Sequence, residues 1–259
     1  QEGISRNEVI EILKAKNLLS MPILKENKVI GLETLHGAMS NVVKKSNPVF
    51  IMAGGFGTRL RPLTDDCPKP MLKIGKKPLL EILVERFKNA GFFNIYISTH
   101  FLADKVTDYF GDGQKHGVNI TYVHELEPLG TGGALGLLPD GTCDELPLIL
   151  VNADILTKLD FSDLLAYHNK NAATATICVK EYEYQIPYGV IVGDGLRITS
   201  MKEKPVHKYF VNAGVYVLEP EVVNSVVKGC YIDAPTVVEE FLKKRSNVFM
   251  FPIYEYWLD

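Results

Sequence analysis

No two of the four cysteines, Cys67, Cys143, Cys178 and Cys230, form a C-x-x-C pair. That spacing excludes zinc ribbons and dithiol redox motifs and makes reduced thiols the expectation. No window offers the roughly 18 unbroken apolar residues of a membrane helix. The N-terminus also lacks the basic-then-apolar order of a secretion signal, so a soluble, cytoplasmic protein is expected. Neither sign of charge dominates: 28 Lys and Arg against 31 Asp and Glu leave a net charge of −3. Without a global positive field, a nucleic-acid surface is not expected and any anion site must be local. Internal repeats and low-complexity tracts are absent too. The chain has 259 residues, 46% of them hydrophobic, enough for one good core, or one large domain with a small appendage.

What stands out is the stretch from Val49 to Leu72, VFIMAGGFGTRLRPLTDDCPKPML. An apolar β-like run that stops at Gly54, Gly55 and Gly57 reads as a buried strand delivering a flexible loop to the carboxyl edge of a sheet, where open α/β folds bind ligands. Glycines let backbone N–H groups approach an anion, and Thr58, Arg59, Arg61 and Lys69 follow with a hydroxyl and three positive charges. A glycine-rich turn after a strand can also be a turn and nothing more. It is not a Walker loop, because Gly57-Thr58-Arg59 replaces Gly-Lys-Ser/Thr. As a dinucleotide fingerprint it fails twice. Leu60 stands where the third glycine is needed, and the next strand, NIYIST, ends at His100 with no carboxylate before Asp104, which argues against an oxidoreductase.

The remaining elements alternate in a readable way. Pro78 to Gly91 places Leu80, Leu83, Val84 and Phe87 at helical spacing and ends on glycine. Strands are expected at Asn94–Thr99, Asn119–Val123 and Leu146–Val151, with helices at Ala103–Phe110 and Phe161–Asn169. This order predicts a Rossmann-like, mainly parallel sheet flanked by helices. Past Ala172 come strand-like runs, TATICV, GVIV, LRITSM and FVNAGVYVL, then a helix that Thr236 and Glu239 would open as a capping box. Residues 1–46 look separate: Ser5 and Glu8 form a capping-box pair on one helix, and MPIL and KVIGLE flank a Lys25-Glu26-Asn27 turn. A catalytic domain is expected over 48–259.

The string GGFGTRLRPLT with PKPML resembles the signature of sugar-1-phosphate nucleotidylyltransferases, whose nucleotide-diphospho-sugar transferase fold is the α/β type expected above. The resemblance implies that Ala53, Gly54, Gly55, Gly57 and Thr58 bind the nucleotide. Arg59 and Lys69 are then catalytic cations. Val151-Asn152-Ala153-Asp154 is a strand ending in a carboxylate. Asp154 could cap a helix, but Asp160 is better placed to do so, and in the resembled family the matching Asp binds Mg²⁺. Trp257-Leu258-Asp259 is similar to the family's WxD motif, which makes Asp259 the second metal carboxylate. The family normally continues past this point, so the domain reads as cut short. Lys202-Glu203-Lys204-Pro205, with Tyr188-Gly189 before it and Asn212-Ala213-Gly214 after it, resembles the sugar site. There Lys204 grips the phosphate, Glu203 and Asn212 take hydroxyls, and Gly189 contacts the ring.

The segment HELEPLGTGGAL resembles that of guanylyltransferases making GDP-sugars, and implies that Gly130 and Thr131 lie against base and ribose. Relatives using uracil tend to carry Gln where Glu125 stands. A carboxylate only accepts hydrogen bonds, which suits the adjacent N1–H and N2–H₂ donors of guanine. An exposed Glu on an acidic strand end is the bland alternative. The expected partners are therefore GTP and a sugar 1-phosphate, with Mg²⁺. The sugar would be glucosamine-1-phosphate of a legionaminic-acid route, or mannose- or heptose-1-phosphate. The N-terminal helix-strand-strand unit resembles part of a CBS module, so a non-catalytic nucleotide sensor is the rival reading. No left-handed β-helix repeat supports an acetyltransferase. A homo-oligomer is allowed but not specified.

Overall fold

The computed structural model describes residues 6–25, 28–34 and 43–258. The chain divides into two compact units, Gln1–Val43 and Lys44–Asp259. The first holds helix α1 (Arg6–Ala15) and an antiparallel hairpin of β1 (Ser20–Lys25) and β2 (Lys28–Thr34). Helix, strand, strand is the order read from the sequence. The expected Ser5 cap and the turn residues Glu26 and Asn27 lie outside the described residues.

The second unit is built on a seven-stranded sheet. Its first half runs β3 (Val49–Met52), α2 (Leu79–Asn89), β4 (Asn94–Thr99), α3 (Ala103–Phe110), β5 (Asn119–His124), the short α4 (Gly130–Gly133) and β6 (Leu148–Asn152). After α5 (Phe161–Lys170) come β7 (Ala175–Gln185), β8 (Val190–Asp194), β9 (Arg197–Lys202) and β10 (Val206–Leu218). The helices α6 (Pro220–Asn224) and α7 (Ala234–Lys243) then lead to β11 (Val248–Pro252). The spatial order is β11-β7-β10-β6-β3-β4-β5. Strand β3 is parallel to both β4 and β6, and β4 to β5, while β10 runs antiparallel to β6 and β7. The result is an α/β fold with a mostly parallel central sheet.

Strand β3 explains why its sequence is apolar throughout. Side chains alternate across a strand, so Val49 and Ile51 enter one core with Leu83, Val84 and Phe87 of α2 and Phe161 and Leu164 of α5. Phe50 enters the opposite core with Leu148, Leu150, Tyr216 and Val238. A strand covered on both faces has no position left for a polar residue. Phe87 stacks on Phe161 with ring centroids 3.9 Å apart, tying the two helices on that face together.

The helix starts follow local chemistry. Asp160 caps α5, its carboxylate accepting from Ser162 N at 2.7 Å and Asp163 N at 3.3 Å. The cap of α7 differs from the expected Thr236–Glu239 box. That helix begins earlier, with Asp233 in the N-cap position and Pro235 in its first turn. Proline has its φ preset for helix and no N–H to leave unpaired, which favours the earlier start. Strand β7 also runs further than TATICV. From Lys180 to Gln185 it pairs with β10, placing Tyr182 opposite Tyr209 and Glu183 opposite Lys208. The charged residues hid a strand whose two faces are both exposed.

Candidate active site

A cavity of about 450 Å³ opens where β3 and β6 end and the glycine bend begins. Ala53 N bonds Ser98 on neighbouring β4, through the carbonyl oxygen and Oγ, both at 3.2 Å, which anchors the start of the bend to the sheet. At Gly57 the backbone turns left-handed with φ +61°, and an added Cβ would meet Thr64 at 3.0 Å and Lys69 at 3.1 Å. Only glycine meets both demands without strain. Lys69 enters the site from a 3₁₀ turn, Lys69–Met71, preceded by Pro68 and containing Pro70.

Lining this cavity are Ala53, Gly54, Gly55, Gly57, Thr58, Arg59, Lys69, Glu125, Gly130, Thr131 and Asp154. These residues come from four separate stretches of chain. Lys69 Nζ donates to Asp154 Oδ2 at 2.6 Å, joining the loop to the end of β6. The other oxygen, Asp154 Oδ1, is buried and has no hydrogen-bond partner among the described residues. Arg61 does not share in the lining. It turns to Asp65, with Nε 3.4 Å from Oδ1, so two of the three expected cations face the cavity.

Glu125 is not the exposed strand-end residue of the bland alternative: it is only 5% exposed. Its amide donates to Thr99 O at 2.8 Å, and its carbonyl oxygen lies 2.8 Å from His100 Nδ1. Oε2 accepts from Leu129 N at 3.1 Å, fixing the side chain across its own turn. Oε1 faces Gly54, where a Cβ would come within 2.5 Å of it. Glycine at 54 therefore makes the room in which this carboxylate sits.

The expected sugar residues lie elsewhere. Among the described residues, Gly189, Glu203, Lys204 and Asn212 are not part of this cavity's lining. Glu203 sits against Gly189, with Oε2 2.9 Å from where a Cβ would be. Lys204 adopts φ +41° in the turn between β9 and β10. The Asn212 amide is occupied within its strand: Nδ2 donates to the Tyr216 hydroxyl at 2.5 Å and Oδ1 accepts from Gly214 N at 3.0 Å. Asp259 lies outside the described residues.

The lining also includes residues that sequence reasoning missed, among them the polar side chains of Asn152, Tyr231 and Asp233. Asn152, two residues before Asp154 at the end of β6, was in plain view in VNAD. Tyr231 and Asp233 carry no signal, because they reach the cavity from a segment far along the chain. None of the helices in the described residues is long and apolar enough to cross a membrane.

The nucleotidyl transferase family model matches residues 49–259. A mannose-1-phosphate guanyltransferase of Yarrowia lipolytica is 36% identical over 216 residues, covering 81% of this chain and 59% of that protein. The Saccharomyces cerevisiae protein of the same description is 33% identical over 222 residues, covering 81% and 60%. The chain thus spans about 60% of the length of the curated relatives it matches. Among solved structures, HddC from Yersinia pseudotuberculosis complexed with GMP-PN superposes with TM-score 0.63 and 27% identity over 82% of this chain and 93% of that one. UDP-glucose pyrophosphorylase complexed with UDP-glucose gives TM-score 0.61 at 22% identity, over 82% and 92%, a likeness of fold alone. A family match spanning the whole sheet and every wall of the cavity leads to one conclusion: the chain belongs to the nucleotidyl transferase family.

Proposed function

We propose that the chain carries the catalytic centre of a sugar-1-phosphate guanylyltransferase, which joins GTP to a sugar 1-phosphate and releases pyrophosphate. The observation that carries this reading is the convergence of the glycine bend, Arg59, Lys69, Asp154 and Glu125 on one cavity. Backbone amides of the bend would receive phosphate oxygens, and Glu125 would accept from the Watson–Crick edge of guanine. Support for guanine comes from the buried carboxylate itself, which has no donor to offer uracil's carbonyls when ionised. The guanyltransferase relatives and the GMP-PN complex of HddC point the same way.

The reaction requires no proton-removing side chain. A phosphate monoester has a second pKa near 6, so its oxygen is already nucleophilic at neutral pH. That oxygen attacks the α-phosphorus in line, the bond from the α-phosphorus to the bridging oxygen breaks, and the electron pair leaves with pyrophosphate. Catalysis then rests on alignment and charge. Arg59 and Lys69 offset charge on the α-phosphoryl and leaving oxygens, and Lys204, although outside the lining of this cavity, is assigned the alignment of the incoming phosphate.

The residues present fit a divalent cation. Asp154 Oδ1 is a buried hard oxygen without a protein partner among the described residues, and no group of three or more His, Cys, Asp or Glu is assembled there among those residues. Few protein ligands beside substrate phosphates is the Mg²⁺ pattern. Asp154, with Asp259, would hold Mg²⁺, which when bound supplies electrostatic stabilisation of the phosphate charges.

Pyrophosphate release with each nucleoside triphosphate, against mannose-, glucosamine- and heptose-1-phosphate, tests the reading. Mannose-1-phosphate is the first sugar to try because it is the substrate in the relatives' names. GTP should exceed UTP by about 10²-fold in kcat/KM, since a mismatched polar edge leaves buried groups unpaired. Equal or better turnover with UTP would overturn the choice of base.

A further inference from the structure

Two helix starts in the second unit exchange their side chains. Asp233 occupies the N-cap position of α7, yet its carboxylate makes no cap hydrogen bond to that helix. Instead Asp233 Oδ1 accepts from Thr131 N at 3.2 Å and from the Thr131 hydroxyl at 3.3 Å. Thr131 returns the service: its Oγ1 accepts from Ala234 N, the first residue of α7, at 2.9 Å. An N-cap carboxylate normally satisfies its own helix, so its diversion calls for a structural reason.

The reason lies in what Thr131 belongs to. Gly130 and Thr131 line the cavity, and so does Asp233. The same turn is bolted to the segment before α7 at three further points. Gly132 N and Gly133 N donate to Ile232 O at 2.9 and 3.0 Å, and Ile232 N donates to Leu129 O at 2.9 Å. Gly130 has φ +77°, and a Cβ there would lie 2.7 Å from Ile232 O and 2.9 Å from Asp233 Oδ1. Leu129, whose amide holds Glu125, is therefore fixed from both sides.

We infer that Asp233 is a positioning residue for the nucleotide: its carboxylate sets the Gly130–Thr131 wall and, through Leu129, the placement of Glu125. This rests on reading the cavity as the nucleotide site. Asp233 acts through its hydrogen-bond acceptor, not through its charge, and it holds neither metal nor phosphate. The neutral amide of Asn at 233 retains one such acceptor, so charge and acceptor can be separated.

The experiment is equilibrium titration of GTP into the protein with Mg²⁺ and no sugar phosphate, followed by steady-state kinetics for Asp233→Ala, Asp233→Asn and Thr131→Val. Asp233→Ala should weaken GTP binding and raise KM for GTP by about 10-fold, with kcat and the sugar-phosphate KM within about 2-fold, the pattern of lost uniform binding. Asp233→Asn should restore GTP affinity to within about 3-fold. Thr131→Val should weaken GTP binding similarly, and its effect should not add to that of Asp233→Ala, because the two share one network. Should Asp233→Ala fail to fold, the Asn and Val variants still decide the matter. Unchanged GTP affinity in both Asp233→Ala and Thr131→Val would overturn the inference. Loss of kcat in Asp233→Asn would overturn it too, since that outcome requires the charge. A wild-type protein that binds no nucleotide would instead refute the nucleotide site itself.

Discussion

Lys69 Nζ donates to Asp154 Oδ2 at 2.6 Å, and both residues line the cavity. The pair is about one-quarter exposed on each side, so it is partly shielded from solvent screening. A cation that can serve the substrate phosphates rests against the carboxylate that can serve a metal, and the second carboxylate oxygen has no partner among the described residues. In this arrangement Lys69 and a divalent ion would compete for Asp154.

That competition has a measurable outcome. Lys69→Met removes the positive charge at similar length, and should tighten Mn²⁺ binding to the nucleotide-free protein, as read by the free Mn²⁺ EPR signal. If Lys69 stabilises the transition state as proposed, the same variant should lose about 10²-fold or more in turnover. Asp154→Asn should weaken Mn²⁺ binding. If Asp154→Asn leaves the ion bound as before, Asp154 is not its ligand.

Base selection should follow position 125. Glu125→Gln keeps an acceptor for Leu129 N but presents an N–H₂ donor to the cavity. GTP should lose about 10²-fold in kcat/KM, and UTP should gain relative to it. Gly54→Ala tests the same carboxylate by crowding, since its Cβ would fall 2.5 Å from Oε1. GTP affinity should drop by about 10-fold, while the fold tolerates the extra methyl. A Gly54→Ala protein with unchanged GTP affinity would mean that Glu125 does not touch the base.

The two substrates should separate in their dependence on Lys204. Lys204→Ala should raise the KM for the sugar phosphate by about 10-fold or more, consistent with loss of a charge-assisted contact, while GTP binding measured alone stays unchanged. An effect confined to GTP would remove Lys204 from the sugar site.

Stability should carry an acid edge set by a buried histidine. His168 of α5 is fully buried, with Nδ1 2.8 Å from Thr176 Oγ1 and Nε2 3.0 Å from Glu219 Oε1. Burial holds its imidazole below the ordinary value of 6.5, although Glu219 pulls the other way. The folded protein therefore binds its proton less readily than the unfolded chain. The stabilising contribution is full above about pH 6.5 and is lost as the pH falls from there through the lowered folded value. His168→Gln should flatten the fall of Tm between about pH 7 and 5, at a cost of about 1–3 kcal/mol at neutral pH. An unchanged slope in the variant would place the acid edge on other groups.

Much of this architecture was legible as sequence because its signals are local. Strand β4 and helix α3 match the ranges read from periodicity residue for residue, and Asp160 caps α5 as its spacing implies. The glycine bend was legible for the same reason, since a strand that ends on glycines is a short-range pattern. Contacts made by tertiary exchange were not legible. Nothing near Asp233 announces that it abandons its own helix for Thr131, and Thr236–Glu239 offered a plausible cap that Pro235 pre-empted. Residues 180–185 escaped notice because alternating Glu and Tyr on an exposed ribbon lacks the apolar stripe that marks a half-buried strand. Glu125 shows the limit most clearly. Its chemistry could be argued from the sequence, but its burial depends on room left by Gly54, a residue on another strand's loop.

The most direct measurement is a crystal structure with GTP and Mg²⁺ soaked in. The triphosphate should lie against the Gly54–Thr58 bend and Arg59, with the guanine edge on Glu125. Density for the nucleotide at any other surface, or a base turned away from Glu125 while the cavity stands empty, would contradict it.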